Sequence, residues 1–186
     1  ALFGPGLTTH ESVRSFLQKV WQEWILPSVI DADALNSICL GLEVPKGPRI
    51  LTPHPGEMAR LLGSSSDRLQ NDRFNALEEA VKKYQSTVIL KGAYSLTSST
   101  EGRTFVNTTG NPGMASSGMG DVLAGVVAGL FAQGLSPLDA AAVASYLHGL
   151  AGDICASKIG QIGYLASDVA AALPAARAKL EEWYQE

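Results

Sequence analysis

Short apolar runs alternate along the chain with longer segments in which apolar residues return every three or four positions. The short runs predict strands, and the longer periodic segments predict helices that bury one face. The predicted strands span residues 28–31, 49–52, 87–90, 94–97 and 103–107, with the last two as the arms of a hairpin. The predicted helices span residues 10–24, 55–62, 71–84, 120–133, 137–158 and 167–183.

This alternation predicts a single α/β domain over residues 1–186, with a mostly parallel central sheet between two helical layers. Three of these segments contain unbroken apolar runs, Val29-Ile30, Ile50-Leu51 and Val88-Ile89-Leu90, as in strands that are covered on both faces. On the helix at 71–84, the spacing of Phe74, Leu77 and Val81 predicts the buried face. Such sheets bind ligands beyond the carboxyl ends of their strands, so functional residues are expected there.

Composition narrows the classes of function. The chain is 46% hydrophobic, which suits one well-packed core, and its net charge of −4 offers no basic surface for nucleic acid. It has no apolar segment long enough to cross a bilayer and no charged leader at its start, so a cytoplasmic location with no membrane partner is predicted. The distant cysteines, Cys39 and Cys155, predict reduced thiols.

The most informative segment is a loop of small residues, 111–120, that enters an apolar helix at Asp121. Helix N-termini carry unpaired N–H groups and a partial positive charge, and glycine lets a ligand approach the backbone closely. A carboxylate beside such an anion site can accept the proton of a hydroxyl that receives a phosphoryl group. A plain turn with a capping Asp fits the segment equally well, so this loop alone leaves both interpretations open.

Three further clusters follow predicted strands. His54 and Glu57 stand three apart at a helix entry, where they serve either a polar ligand and a metal-bound water or only the helix N-terminus. Lys91 ends a buried strand, where it either balances phosphate charge or simply reaches solvent. Asp31 and Asp33 are suited to organising magnesium-bound water, but capping of the next helix by at least one of them is favoured.

In this order and combination, the motifs resemble the ADP/ATP-dependent NAD(P)H-hydrate dehydratase family of the ribokinase-like superfamily. The loop before Asp121 points to the superfamily, and the His-Pro-Gly-Glu motif narrows the resemblance to this family. The resemblance implies a ribokinase-like three-layer α/β/α sandwich. The matching segments extend over nearly the whole chain and are Gly4-Pro5-Gly6-Leu7, Asp31-Ala32-Asp33-Ala34-Leu35, Leu51-Thr52-Pro53-His54-Pro55-Gly56-Glu57, Leu90-Lys91-Gly92-Ala93 and residues 111–125.

The resemblance also implies roles for individual residues. Asp121 is implied as the catalytic base and as a contact to the hydrated nicotinamide, and Gly6 and His54 as contacts to the hydrated dinucleotide. Glu57 is implied to reach magnesium through water, because it occupies the place of the acid in the superfamily's Asn-x-x-Glu motif, with His54 in place of the Asn. The residues implied to hold ADP or ATP are Lys91, Gly92, Ala93, Tyr94, Ser95, Asn111, Gly113, Met114, Ala115, Ser116, Ser117, Gly118, Met119 and Gly120, the last three as an anion hole.

The implied activity is the ADP- or ATP-dependent dehydration of the S-epimer of NADH or NADPH hydrate, which restores NAD(P)H by phosphorylation of the hydrate hydroxyl and elimination of phosphate. Mg²⁺ is implied as a cofactor, and a homo-oligomer such as a tetramer as the assembly. Two alternatives stay open. One is a small-molecule kinase of the same superfamily that acts on a vitamin or sugar hydroxyl, and the other is a non-catalytic nucleotide-binding module.

The chain departs from the family pattern at Thr8 and at Ser117, where the family commonly has Gly. Neither change removes a catalytic group. The family has further strands before its Gly-Pro-Gly loop, so the chain is expected to be an N-terminally truncated domain with an unpaired sheet edge. By the same resemblance, an epimerase domain is expected upstream, as in bifunctional members, and the Asn-Pro-Gly-Met-Ala-Ser run favours ADP over ATP.

Overall fold

Six strands form one sheet in the computed structural model, which describes residues 1–183. The first four strands run parallel, and the last two complete the sheet as an antiparallel hairpin. The mostly parallel sheet and the hairpin that the sequence predicts are therefore confirmed. In both chain order and spatial order, the strands are β1 (Leu2–Phe3), β2 (Ser28–Ile30), β3 (Arg49–Leu51), β4 (Thr87–Leu90), β5 (Leu96–Ser98) and β6 (Thr104–Val106).

The helices of the described residues connect these strands and follow the hairpin. None of them is both long enough and apolar enough to span a membrane. They are α1 (Glu11–Glu23), α2 (Ala32–Cys39), α3 (Pro55–Leu62), α4 (Ser66–Asn71), α5 (Arg73–Tyr84), α6 (Met119–Ala132), α7 (Pro137–Ile159) and α8 (Ala166–Trp183), with a short 3₁₀ turn at Pro112–Met114.

Successive residues of each strand pack against opposite layers, because side chains alternate across a strand. Ile30 and Leu51 lie in the core formed with α1 to α5, whereas Val29 and Ile50 lie in the core formed with α6 and α7. All four side chains are completely buried. Helix α8 packs on α6 and α7 in a third cluster. The three-layer α/β/α arrangement follows from this pattern.

Two short helices and one exposed aromatic residue differ from the sequence-based expectations. Helices α2 and α4 are too short to show the repeated apolar spacing on which helix prediction depends. The predicted helix at 71–84 begins only at Arg73, because Asp72 caps α5 by accepting the N–H of Asn75 at 3.0 Å. Phe74 is 58% exposed rather than buried, since its first-turn side chain points back past the N-terminus of α5.

Candidate active site

The carboxyl ends of β1 to β4 bring four predicted motifs to one edge of the sheet. Gly4 and Gly6 follow β1, Asp31 follows β2, His54 lies three residues beyond β3, and Lys91 follows β4. The four strands are parallel neighbours, so their last residues lie side by side. Segments far apart in the chain therefore meet at this edge, as expected for a ligand site of an α/β sheet.

A buried charge cluster occupies the middle of this edge. The Nζ of Lys91 lies 2.8 Å from Oδ1 of Asp31 and 3.8 Å from Oε2 of Glu57. The side chains of Lys91, Asp31 and Glu57 are 17%, 2% and 5% exposed. Lys91 is thus not a solvent-exposed lysine. Its positive charge balances two carboxylates that have almost no access to water.

His54 and Glu57 close the N-terminus of α3 as a capping box. The Nδ1 of His54 accepts the N–H groups of Gly56 and Glu57, while Oε2 of Glu57 accepts the N–H of His54 at 2.8 Å. Since Nδ1 is an acceptor, the neutral imidazole carries its proton on Nε2, which lies 3.5 Å from Oε1 of Glu57. Half of the His54 side chain is exposed, so a ligand can reach it.

The expected capping of α2 by Asp31 or Asp33 is wrong. The Asp31 side chain makes no capping hydrogen bond and pairs with Lys91 instead. Asp33 accepts the backbone N–H of Thr8 at 2.8 Å through Oδ2 and thereby ties the Gly-Pro-Gly loop to α2. Both carboxylates have partners from distant segments, and neither partner is visible from local sequence.

Close packing explains one glycine of the loop after β1. A Cβ at Gly4 would clash with the backbone carbonyl of Asp31, and the φ of Gly4 is +132°. Gly6 has a φ of +71°, but a Cβ on it would meet no other atom within 4 Å, so it borders open space where a ligand could lie. Gly4 holds the loop against β2, and Gly6 leaves room beside it.

Thr8 adopts a backbone conformation that suits glycine, with a φ of +64°. A β-branched residue in the left-handed region is strained by roughly 1–3 kcal/mol. Glycine avoids this strain but loses more conformational entropy on folding, at a cost of roughly 1 kcal/mol. We therefore expect Thr8→Gly to raise the free energy of unfolding by about 1 kcal/mol in urea denaturation. Thr8→Ala is the control, because it removes the hydroxyl but keeps a Cβ in the strained region. A Gly variant that is less stable than the Ala variant would contradict this account.

The N-terminus of α6 faces the charge cluster. A Cβ on Gly120 would lie 3.5 Å from Nζ of Lys91 and 3.9 Å from Oδ2 of Asp31. Gly118 starts the helix with a φ of +86°. The first hydrogen bond of the helix runs from the N–H of Val122 to the carbonyl of Gly118. The preceding amides are therefore free to bind an anion.

Asp121 is exposed in the first turn of α6. Among the described residues, no side chain or backbone group forms a hydrogen bond or ion pair with its carboxylate. The other acids of this edge already have partners: Asp31 and Glu57 are buried and paired with Lys91, and Asp33 accepts the N–H of Thr8. Asp121 is consequently the carboxylate best placed to accept a proton from a bound molecule.

The predicted nucleotide residues after β4 form a bent, exposed loop. Gly92 and Tyr94 have φ values of +133° and +52°, and the Tyr94 ring is largely exposed. Arg73 of α5 holds this loop by donating to the carbonyls of Ala93 at 2.6 Å and Tyr94 at 3.4 Å. The sequence does not predict this role of Arg73, because an arginine at a helix start gives no indication of a contact with a loop 20 residues later.

The second predicted nucleotide loop runs from Asn111 to the start of α6. Ala115, Ser116 and Ser117 are exposed, whereas the Asn111 side chain bonds within the protein. Gly118 packs against the start of α8, because a Cβ on it would lie 3.1 Å from the Ala166 methyl. The loop therefore combines a fixed beginning, an accessible middle and a fixed end.

The described residues contain no group of three or more His, Cys, Asp or Glu side chains that could hold a metal ion. Glu57 fits a magnesium contact only through water, because its carboxylate is buried and already accepts the N–H of His54. Magnesium in proteins keeps several waters and is commonly held by one or two carboxylates together with substrate phosphates. The donors at this edge fit that arrangement and do not fit a protein-only cage.

His148 of α7 lies buried against the backbone of Met119. Burial lowers the pKa of its imidazole from 6.5 to about 4, against the opposing effect of a hydrogen bond to the Met119 backbone. Its Nε2 is buried, with no hydrogen-bond partner among the described residues. His148 is therefore neutral at physiological pH and belongs to the packing under α6.

The lowered pKa of His148 predicts acid sensitivity. Below pH 6.5 the unfolded chain binds a proton that the folded chain takes up only near pH 4, so the free energy of unfolding falls by about 3 kcal/mol over this interval. We expect His148→Leu to lose this part of the pH dependence in urea denaturation at pH 7, 5.5 and 4.5. His10→Asn, at the exposed start of α1, is the control for the removal of a histidine outside the core. Parallel pH profiles for wild type and His148→Leu would disprove the assignment.

A mostly parallel sheet between two helical layers, with a polar cluster at the strand ends under a helix N-terminus, is the arrangement of an α/β ligand-binding domain. Solved ribokinase-like proteins share this fold. A family model described as NAD(P)H-hydrate dehydratase matches residues 1–175, and the chain belongs to that family. The family resemblance seen in the motifs is thereby confirmed.

Individual relatives agree with this assignment. The chain is 43% identical over 182 residues to the bifunctional NAD(P)H-hydrate repair enzyme Nnr of Moorella thermoacetica, covering 96% of this chain and 34% of that protein. It is 41% identical over 157 residues to the ADP-dependent (S)-NAD(P)H-hydrate dehydratase of Neisseria meningitidis, covering 81% of this chain and 52% of the relative.

A solved structure is similar over nearly the whole chain. It is the ADP/ATP-dependent NAD(P)H-hydrate dehydratase from Bacillus subtilis co-crystallised with ATP/Mg²⁺, with a TM-score of 0.85 and 31% identity. The match covers 96% of this chain and 63% of that chain. The chain thus spans about a third of the bifunctional relative, half of the Neisseria relative and less than two thirds of the solved structure.

Proposed function

We propose that this chain provides the site for ADP- or ATP-dependent dehydration of the S-epimer of NADH or NADPH hydrate. The observation that carries the proposal is Asp121, an exposed carboxylate beside the free amides at the N-terminus of α6. Membership of the NAD(P)H-hydrate dehydratase family supports the reaction. The names of the Neisseria and Bacillus proteins support the S-epimer and the nucleotide.

The chemistry follows from a poor leaving group. Hydroxide does not leave the hydrated nicotinamide ring readily at neutral pH. Asp121 accepts the proton of the hydrate hydroxyl, while the oxygen of that hydroxyl attacks the terminal phosphorus of the nucleotide. The leaving group is AMP when the nucleotide is ADP, and ADP when it is ATP. The neighbouring ring carbon then loses a proton, phosphate leaves with its C–O electron pair, and the ring double bond forms again. The products are NAD(P)H, inorganic phosphate and the shortened nucleotide.

The remaining residues of the edge bind and orient the two substrates in this proposal. The amides of Gly118, Met119 and Gly120 hold the terminal phosphate and stabilise charge as it transfers. Gly6 and the Nε2–H of His54 contact the hydrated dinucleotide. The residues that hold the rest of the ADP or ATP are Lys91, Gly92, Ala93, Tyr94, Ser95, Asn111, Gly113, Met114, Ala115, Ser116 and Ser117.

Magnesium belongs to the same proposal. When bound, Mg²⁺ neutralises charge on the nucleotide phosphates. Glu57 would contact it through water, as its buried and already hydrogen-bonded carboxylate requires. The ATP/Mg²⁺ of the Bacillus subtilis co-crystal supports this cofactor. The homo-oligomeric state, the cytoplasmic location and the upstream epimerase domain stay predictions.

The test is incubation of the complete protein with NADH hydrate and either ADP or ATP. Reduced-nicotinamide absorbance should return, and inorganic phosphate should appear in equal amount. An ordinary small-molecule kinase would instead leave a stable phosphorylated product with no gain of absorbance. A non-catalytic module would bind nucleotide without releasing phosphate. Either of these results would overturn the proposed dehydration.

A further inference from the structure

The beginning of the predicted nucleotide loop packs against a face of α7 that carries two glycines. Gly149, Gly152 and Asp153 share one face of α7 at helical spacing. A Cβ on Gly149 would clash with Thr109, and a Cβ on Gly152 would clash with the side chain of Met114. The backbone of Thr109, just before the loop, therefore lies so close to α7 that only glycine fits at position 149, and Gly152 leaves room for the Met114 side chain.

Asp153 holds the loop at the end of that face. Its Oδ2 accepts the backbone N–H of Gly110 at 2.9 Å, and its Oδ1 accepts the Nδ2 group of Asn111 at 2.9 Å. An ionised carboxylate only accepts hydrogen bonds, so the Asn111 amide has to turn its nitrogen towards Asp153 and its oxygen away. A single side chain thus determines the placement of two successive loop residues.

The oxygen of Asn111 is held from the other side. The hydroxyl of Tyr164 donates to Oδ1 of Asn111 at 2.6 Å, and the N–H of Gly113 donates to the same oxygen at 3.1 Å. Tyr164 is almost completely buried, and burial raises the pKa of its hydroxyl even though the bond to Asn111 opposes the shift. Tyr164 is therefore a protonated donor at neutral pH. Asn111 is locked between a carboxylate and a phenol.

We propose that Asp153 is a positioning residue for the nucleotide, acting through Asn111 and the backbone of Gly110. Together with Tyr164, it holds the loop in the shape that receives ADP or ATP, an inference that rests on the proposed function of this site. A loop that is already ordered binds its ligand without the cost of ordering it. Asp153 has no direct contact with the reacting atoms in this scheme, so its loss weakens nucleotide binding more than chemistry.

Asp153→Leu is the first variant, because it keeps the branched shape of the side chain and removes both acceptors. We expect the KM for ADP to rise roughly 10- to 100-fold, as for the loss of hydrogen bonds to a charged group. The kcat at saturating ADP should change by less than about threefold, since the transition-state contacts remain. Asp153→Asn retains one acceptor and should give a smaller rise in KM.

Two further variants separate positioning from general damage. Tyr164→Phe removes only the phenolic donor and should also raise the KM for ADP, and combining it with Asp153→Leu should be less than additive because both act on Asn111. Asp139→Asn is the matched control, since it changes the same charge at the opposite end of α7, and should leave the KM unchanged. Thermal unfolding of every variant reports whether the fold is retained.

Amide hydrogen exchange without nucleotide tests the loop itself. Exchange at Gly110 and Gly113 should accelerate in Asp153→Leu relative to wild type and Asp139→Asn. Unchanged exchange, or a fall in kcat with an unchanged KM, would overturn the inference. If the wild-type protein fails to restore NADH from its hydrate, the proposed function fails, whereas the exchange rates still decide whether Asp153 holds the loop.

Discussion

Asp121→Asn is expected to lower the rate of NADH recovery from NADH hydrate roughly 100- to 10,000-fold. Asparagine matches aspartate in size but does not take up a proton at neutral pH. Asp121 is exposed at the N-terminus of α6, and no described protein group hydrogen-bonds to its carboxylate, so the substitution disrupts no internal contact. Initial rates measured with saturating nucleotide should show the loss in kcat, while calorimetry should show retained nucleotide binding.

Asp67→Asn is the matched control for this experiment. Asp67 is likewise exposed in the first turn of a helix, α4, so the change has the same effect on charge and on a helix N-terminus. It should leave NADH recovery at the wild-type rate. Near-normal recovery by Asp121→Asn would remove Asp121 from the role of base, and the phosphate site would then need another proton acceptor.

Lys91→Met is expected to destabilise the protein by roughly 3–5 kcal/mol. Methionine preserves most of the side-chain volume but leaves Asp31 and Glu57 as buried carboxylates without their cation. Uncompensated buried charge is far more costly than a lost surface contact. Urea denaturation without nucleotide at neutral pH measures the effect on folding separately from any loss of ligand binding.

The pair formed by Lys82 and Glu78 supplies the control. The Nζ of Lys82 lies 2.6 Å from Oε1 of Glu78, but the side chains of Lys82 and Glu78 are 72% and 63% exposed. Lys82→Met should therefore cost less than about 1 kcal/mol, in line with solvent-exposed ion pairs. Equal losses of stability in Lys91→Met and Lys82→Met would show that the buried charge cluster contributes no more to stability than an exposed ion pair.

The fold is largely predictable from periodicity. Each predicted strand and each long predicted helix lies within a few residues of an observed element, because strongly apolar runs leave few alternatives. The short helices α2 and α4 give too few turns for a periodic pattern. Phe74 has core spacing but lies in the first turn of α5, where a side chain points beyond the layer it would otherwise join.

The candidate site is predictable as a set of strand ends but not as a set of contacts. Asp31 and Lys91 are 60 residues apart, and each by itself resembles a cap or a solvated strand end. Their pairing depends on the spatial order of β2, β3 and β4, which local sequence does not encode. Asp153 is hidden for the same reason, since its loop partners lie more than 40 residues upstream.

A crystal structure of the complete protein with bound ADP or ATP would show directly where phosphoryl transfer takes place. We expect the terminal phosphate to lie against the backbone amides of Gly118, Met119 and Gly120, with the Asp121 carboxylate within reach of a hydroxyl attacking that phosphorus. A terminal phosphate bound elsewhere, away from the N-terminus of α6 and Asp121, would contradict this expectation.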